Sequence, residues 1–347
     1  MRAPGSQTPA FDLTARIGSV VLPNPVMTAA GTSGHGAELA SYFDLSELGA
    51  VVVKSVSAEP WAGNEPPRLL PLRAGMMNSV GLQNRGVAEW LSHELPALAA
   101  TGARVVVSVW GRSPDDYAEV GRRLAGALVP AASAHGPGSQ SAGERGRVVA
   151  VEANISCPNV EDRHRMFAHT IEGTSAAISS LWRSLEGTGL PVWAKLSPNV
   201  TDIVAIAGAA LSAGAEALVL VNTLMGLALD PASGVPLLGA GGGGVSGPGL
   251  HPVAVRAVHE CRTAFPDAPI VGVGGVLTGA DAAEMLVAGA QAVQVGTATF
   301  ADPRAPVKVL RELTSWCRSR GLRSAGDLRP AAGWAHAPLG ARGEGSG

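Results

Sequence analysis

One octapeptide, Glu152-Ala-Asn-Ile-Ser-Cys-Pro-Asn159, concentrates the groups best able to do chemistry in this chain. It follows the apolar run Val148-Val-Ala-Val151, which predicts a buried strand. Asn154 and Asn159 offer donors and acceptors to a planar polar ligand, and Cys157 offers a base once its thiol ionises. A free thiol has a pKa of about 8.5, so a reaction driven by it accelerates as pH rises. The same octapeptide also fits a polar turn with an idle buried cysteine.

Other residues bear on that choice. Lys54 and Lys195 each follow an apolar run, Val51-Val-Val53 and Pro191-Val-Trp-Ala194. A lysine there suits an electron-rich cofactor that gains negative charge. A Schiff base on Lys195 is the other chemistry open to it, though no neighbouring feature specifically supports that. Asn78 and Asn222 add two more carboxamides. Gly272-Val-Gly-Gly275 and Gly296-Thr297 let backbone N–H groups approach an anion closely and read as a phosphate cradle. Ser246-Gly-Pro-Gly249 adds a further donor, and the preceding Gly239–Gly244 run reads as flexible. His35, His164, His169 and His251 stand alone, without HxH or HxxxH spacing, so no metal site is expected.

The elements that must position these groups follow from the apolar runs. Eight short strands are expected at 25–31, 50–56, 104–110, 148–156, 191–197, 217–223, 269–275 and 292–297. Helices are expected at 86–100, 114–128, 202–213 and 279–288, with a polar helix starting near Glu38. Residues 11–22 read as a short hairpin, and the long segment holding Asn78–Asn84 reads as a loop. Strands alternating with helices over roughly 250 residues predict an α/β fold, a (β/α)8 TIM barrel with a short N-terminal β-hairpin. A doubly wound open sheet is the other solution, since periodicity does not report closure. The polar residues favour the barrel: Lys54, Ser108, Asn154, Lys195, Asn222, Gly274-Gly275 and Gly296-Thr297 all fall at C-terminal strand ends, where barrels carry their active sites.

The organisation expected is a disordered stretch at 1–10, one domain over 11–330 with a flexible Ala-, Ser-, Gly- and Pro-rich insertion at 130–147, and a loose tail at 331–347. The 347 residues suffice for a large core, and 45 glycines with 25 prolines suit many short strands joined by tight turns. A net charge of −2 points to neither nucleic acid nor an anionic membrane as partner. Three cysteines at 157, 261 and 317 form no CxxC, which suits a reduced, cytoplasmic compartment. No signal-like segment opens the chain and no uninterrupted apolar span is long enough for a membrane helix.

With these residues in hand, the chain resembles the class 1 dihydroorotate dehydrogenases, flavin enzymes of pyrimidine synthesis built on a (β/α)8 barrel. The likeness runs from about Phe11 to Arg304. It rests on Asn78-Ser-Val-Gly-Leu-Gln-Asn84, Asn154-Ile-Ser-Cys-Pro-Asn-Val160, Lys195-Leu-Ser-Pro-Asn-Val-Thr-Asp-Ile203, Asn222-Thr-Leu-Met-Gly226, Gly272-Val-Gly-Gly275 and Val295-Gly-Thr-Ala-Thr-Phe-Ala-Asp-Pro303. The Lys195 and Asn222 runs look most like the class 1B branch.

The resemblance implies FMN as cofactor, with Cys157 removing a proton from carbon 5 of dihydroorotate while a hydride leaves carbon 6. It implies FMN contacts from Ala30, Gly31, Lys54, Ser55, Ser108, Asn154, Lys195, Val221, Gly247, Gly274, Gly275, Gly296 and Thr297. It implies substrate contacts from Lys54, Asn78, Ser79, Val80, Gly81, Leu82, Asn154, Asn159, Asn222 and Thr223. It further implies a homodimer core and an iron–sulfur FAD subunit that passes electrons to NAD. Departures from the family pattern are Glu161-Asp-Arg-His-Arg-Met-Phe167 in place of a Gly-rich loop, Ala30 for Ser, Ser108 for Asn, and the insertion at 130–147. They keep open a related FMN oxidoreductase acting on another dihydropyrimidine or cyclic amide. A barrel that binds a phosphorylated ligand without redox chemistry is a third reading.

Overall fold

The computed structural model describes residues 11–128, 148–156 and 166–328. The stretches expected to be loose, 1–10, 130–147 and 331–347, lie outside them, as do Cys157, Asn159 and His164. In chain order the strands are β1 (Ala15–Ile17), β2 (Val20–Leu22), β3 (Val26–Thr28), β4 (Val51–Val52), β5 (Leu69–Leu72), β6 (Gly75–Asn78) and β7 (Val105–Val109). They continue as β8 (Val148–Asn154), β9 (Val192–Lys195), β10 (Ala217–Leu220), β11 (Leu224–Gly226), β12 (Gly243–Ser246), β13 (Ile270–Val273) and β14 (Ala292–Val295).

β1 and β2 form the expected hairpin. Eight strands make one parallel sheet in the order β3-β14-β13-β10-β9-β8-β7-β4. Its two ends meet: Met27 bridges Ala50, and the Gly49 N–H donates to the Val26 carbonyl at 2.8 Å. Buried Thr28 reinforces the seam by accepting the Val52 N–H at 2.9 Å. The sheet is therefore a closed barrel, and the open-sheet alternative falls away.

Each barrel strand alternates its side chains between two environments. Met27, Val52, Val106, Ala150, Trp193, Val219, Val271 and Ala292 fill the barrel interior as one apolar cluster. Val26, Val51, Val105, Val107, Leu218, Ile270 and Val293 face outward and pack on the helices, against Ile178, Leu181, Val258, Met285 and Leu313. The helices start where capping chemistry places them. Thr170 caps Ile171–Ser184, Asp202 caps Ile203–Ser212, and Thr278 with Asp281 forms a capping box on Gly279–Ala288. Pro114–Leu128 is helical as expected, and the helix expected at 86–100 spans Val87–Glu89, a π turn at Trp90–Glu94, and Leu95–Ala100.

Three expectations need correction. The polar helix near Glu38 is two 3-10 turns, Glu38–Ser41 and Leu45–Glu47. The Glu38 carboxylate folds back to accept the His35 and Gly36 N–H groups, and Asp44 starts the second turn by accepting from Ser46. The long loop after β4 carries a hairpin, β5–β6, which joins β12 and β11 in a four-stranded antiparallel sheet of order β11-β12-β6-β5. The glycine run expected to be flexible thus feeds a strand. A Cβ on Gly243 would stand 2.3 Å from the Asn78 carbonyl oxygen, and one on Gly244 would stand 2.0 Å from Thr223 Oγ1. Glycine is used there for close approach of backbones rather than for freedom.

Candidate active site

The barrel interior changes character toward the C-terminal ends of its strands. Steps of two along the inward positions run from Ala50 and Val52 to Lys54, from Val106 to Ser108, and from Ala150 to Glu152 and Asn154. They run likewise from Trp193 to Lys195 and from Ala292 to Gln294. Above this polar layer opens a cavity of about 620 Å³. That size is ordinary for a small-molecule or cofactor site.

Nearly all of the expected residues meet there. From the cofactor set, Ala30, Gly31, Lys54, Ser55, Asn154, Lys195, Val221, Gly247, Gly274, Gly275, Gly296 and Thr297 line the cavity. From the substrate set, Asn78, Val80, Gly81, Leu82, Asn222 and Thr223 line it too. Ser108 and Ser79 stand behind the lining. Ser108 Oγ lies 2.8 Å from Ser55 Oγ, and Ser79 Oγ accepts from Asn64 at 3.0 Å. Asn159 and Cys157 fall outside the described residues, three and one beyond Ser156, the last described residue after β8.

The carboxamides that line the cavity are held in place by hydrogen bonds. Asn154 Nδ2 donates to Ser55 Oγ at 2.9 Å, and the Tyr117 hydroxyl donates to the Asn154 backbone carbonyl at 2.9 Å. Asn222 Nδ2 donates to Ser156 Oγ at 3.0 Å while its Oδ1 accepts the Thr223 N–H at 2.9 Å. Asn78 Nδ2 donates to the Gly244 carbonyl at 3.3 Å, which ties the Asn78–Asn84 motif to β12. Further along that motif, Leu82 has φ of 61°, a left-handed conformation that a leucine rarely adopts. Two bonds fix it: Trp61 Nε1 donates to the Gly81 carbonyl at 2.9 Å, and Asn84 Nδ2 donates to the Leu82 carbonyl at 2.9 Å.

Charge is uneven in the cavity. Lys54, Lys195 and Arg73 line it against a single carboxylate, Glu152, so the described lining favours an anionic ligand. Glu152 is fully buried and Lys195 is 5% exposed, with 3.7 Å between Nζ and Oε1. Gln294 bridges them, accepting from Lys195 Nζ at 3.1 Å and donating to Glu152 Oε2 at 2.7 Å.

β13 and β14 are parallel neighbours, so Gly274-Gly275 and Gly296-Thr297 lie side by side. Gly275 has φ of +66°, and a Cβ on it would stand 2.7 Å from His251 Cβ and 2.8 Å from the Gly247 carbonyl oxygen. The lone histidines sit elsewhere. His35 lines a separate pocket that also touches Lys54, where burial and then the Lys54 charge hold its pKa down. His169 lines an open cleft beside Thr201 and Asp202, with its pKa lowered by burial. His251 bonds the Gly274 carbonyl at 2.9 Å from behind the cradle. Cys261 lies on the helix His251–Ala264, outside the barrel, where burial pushes its thiol up to about 12. It is no base at neutral pH.

Sequence reasoning missed Glu152, Gln294 and Arg73. Glu152 lay inside the singled-out octapeptide without a role, and Gln294 lay within a strand. The period-two step inward from Ala150 and Ala292 was the signal for both. Arg73 sits in the turn between β5 and β6, and nothing in its local sequence marks it.

A closed barrel with this cationic, carboxamide-rich and glycine-floored mouth at its C-terminal strand ends has the make-up of an enzyme barrel for an anionic ligand. Comparison with known proteins makes that specific. The family model described as "Dihydroorotate dehydrogenase" matches residues 12–136 and 138–316. A catalytic subunit of dihydroorotate dehydrogenase B (NAD(+)) from Desulforudis audaxviator is 44% identical over 316 residues, 91% of this chain and 96% of the relative. The corresponding protein of Alkaliphilus metalliredigens is 40% identical over 321 residues, 92% of this chain and 98% of the relative. A relative from Solibacter usitatus, named as a dihydroorotate dehydrogenase A (fumarate), is 42% identical over 316 residues, 91% of this chain and 97% of the relative. The chain belongs to the dihydroorotate dehydrogenase family.

FMN, the flavin of that family, carries a flat heterocycle of alternating carbonyl and N–H groups, an apolar edge and a terminal phosphate. The lining fits it. Lysines and carboxamides line the cavity, Ala29, Val221, Val273 and Leu250 supply apolar wall, and a side chain at Gly275 would collide with the backbone behind it. No helix among the described residues is long and apolar enough to cross a membrane.

Proposed function

We propose that this chain oxidises (S)-dihydroorotate to orotate in de novo pyrimidine synthesis, with FMN as cofactor and as the catalytic subunit of a class 1B enzyme. One observation carries the reading. A single cavity joins Asn78, Asn154 and Asn222 to Lys195 and to the paired glycine ends, at the end of the strand that leads into Cys157.

When bound, FMN supplies the acceptor for the hydride of carbon 6. In this reading Gly274, Gly275, Gly296 and Thr297 present backbone N–H groups to its phosphate, and Lys195 holds a cation beside its ring. Lys54, with Asn78, Asn154, Asn159, Asn222 and Thr223, orients the substrate ring and its carboxylate, and the 79–82 backbone closes over it. Cys157, as thiolate, takes the proton from carbon 5. The electron pair of that C–H bond becomes part of the new double bond between carbons 5 and 6, which balances the departure of the hydride. Ser108 acts through Ser55 by fixing the hydroxyl that Asn154 meets.

The relatives' names supply the partner reading. A protein named as a catalytic subunit works with another chain, and we assign an iron–sulfur FAD subunit that delivers electrons to NAD, around a homodimer of this chain. The Solibacter relative makes fumarate the competing acceptor. Free thiols at Cys261 and Cys317 suit a cytoplasmic setting. A second reading, oxidation of another dihydropyrimidine or cyclic amide by the same FMN site, is favoured by one feature, the Glu161–Phe167 segment that replaces a Gly-rich loop.

Anaerobic mixing of the purified yellow protein with dihydroorotate separates these readings. Rapid bleaching of the flavin band is the expected result. A flavin band that dihydroorotate leaves intact would move the enzyme to the second reading.

A further inference from the structure

We infer that Glu152 and Gln294 are positioning residues that hold Lys195 and set the charge a bound flavin meets, so that they tune its reduction potential. The inference rests on the FMN reading and goes beyond it, because neither residue has a part in the transfers described above.

The three residues come from different parts of the barrel wall. Glu152 is on β8, Lys195 on β9 and Gln294 on β14. Along the sheet β14 is separated from β9 by β13 and β10, so the Lys195–Gln294 bond at 3.1 Å crosses the barrel interior. All three lie in the layer just under the cavity, above Trp193, Ala150 and Ala292. Glu152 and Gln294 are fully buried.

An amide is the one side chain of this length that answers both neighbours. Its oxygen meets the ammonium, and its N–H group meets the carboxylate at 2.7 Å. A glutamate would set carboxylate against carboxylate, and a leucine would offer a bond to neither group. The arrangement also keeps ammonium and carboxylate apart. Nζ stops 3.7 Å from Glu152 Oε1, beyond a hydrogen bond, and that buried oxygen has no hydrogen-bond partner among the described residues. An unpartnered oxygen on a fully buried carboxylate is costly, and one that also borders a cavity points to the ligand that fills the cavity.

Electrostatics then fixes opposite signs for the two residues. Glu152 offsets the Lys195 charge at short range in a poorly screened interior. Without it the cation is uncompensated and favours added negative charge above it. Gln294 holds Lys195 off Glu152. Without it the ammonium closes on the carboxylate, and the cation felt in the cavity weakens.

The test is an anaerobic spectroelectrochemical titration of FMN bound to wild type, Glu152→Gln and Gln294→Leu. The expected midpoint shifts are positive for Glu152→Gln and negative for Gln294→Leu. Two variants that retain FMN at unchanged potential, or shift it the same way, would overturn the inference, since loosened packing has no reason to give opposite signs. Either variant alone, if it folds with flavin, still reads its own sign. A wild-type protein that purifies folded but takes up no FMN would instead overturn the cofactor reading beneath it.

Discussion

The cavity has two walls of opposite construction. Its floor is made of barrel strand ends, where Glu152, Asn154, Lys195 and Gln294 are buried and bonded side chain to side chain. Its outer wall is the small sheet β11-β12-β6-β5, where Leu69, Leu72 and Met225 are 46%, 37% and 44% exposed. Backbone ladders and close glycine contacts hold that wall together, with few side-chain bonds. The difference assigns the work. Groups whose charge must be fixed in direction sit on strands paired on both sides, the most rigid support the fold offers. The half-exposed sheet decides what reaches them. Damage to the floor should therefore appear in chemistry and cofactor retention, and damage to the exposed side chains of the outer wall in access.

The largest effect is expected where the floor strand β8 runs out. Cys157→Ser should cut turnover by about 10²- to 10⁴-fold near neutral pH, the usual contribution of a positioned base, while flavin absorbance stays. On the proposed mechanism the active form is the thiolate, so turnover should rise with pH as the thiol ionises, and that limb should vanish in the variant. Iodoacetamide gives an independent reading. Cys261, buried and pushed up to about 12, should stay unlabelled at pH 8 while activity is lost. Near-wild-type turnover in Cys157→Ser, or inactivation that tracks Cys261 labelling, would remove Cys157 as the base.

Gly275→Ala attacks the floor through the backbone. The new Cβ would meet the Gly247 carbonyl at 2.8 Å and sit on a φ of +66°, so two costs add. Strain of about 1–3 kcal/mol is ordinary for such sites, which corresponds to roughly a 10- to 100-fold loss of FMN affinity if it falls on the holo form. Flavin content after dialysis measures it, and full retention would mean that the cradle lies elsewhere. Thr297→Val is milder. It removes one hydroxyl bond, to Ser246 Oγ at 2.8 Å, that ties floor to outer wall, and should cost about 1 kcal/mol in urea unfolding.

How much of this was readable beforehand divides along the same line. The eight barrel strands were legible because runs such as Val51-Val-Val53 and Val105-Val-Val107 admit little else, and their polar ends marked the mouth. Glu152 and Gln294 were passed over because each lies within an apolar strand, and only the alternation of faces shows that they point inward. The outer wall was illegible for a physical reason. Glycine serves freedom and close approach equally, and what stands opposite decides between them. Asn78 stands opposite Gly244, more than a hundred residues away in the chain.

The smallest effect tests the comparison from its other side. Leu69 lines the cavity from β5 yet remains 46% exposed, so it has little burial to lose. Leu69→Gln should change unfolding free energy by no more than about 0.5 kcal/mol, as surface substitutions do. Its flavin spectrum and kcat should match the wild type, because no bond from Leu69 reaches Lys195, Gln294 or Asn154. KM should move by a small factor, since only the approach of substrate is altered. A fall in kcat or loss of flavin in Leu69→Gln would mean that the outer wall transmits force to the floor, and the division of labour between the two would not stand.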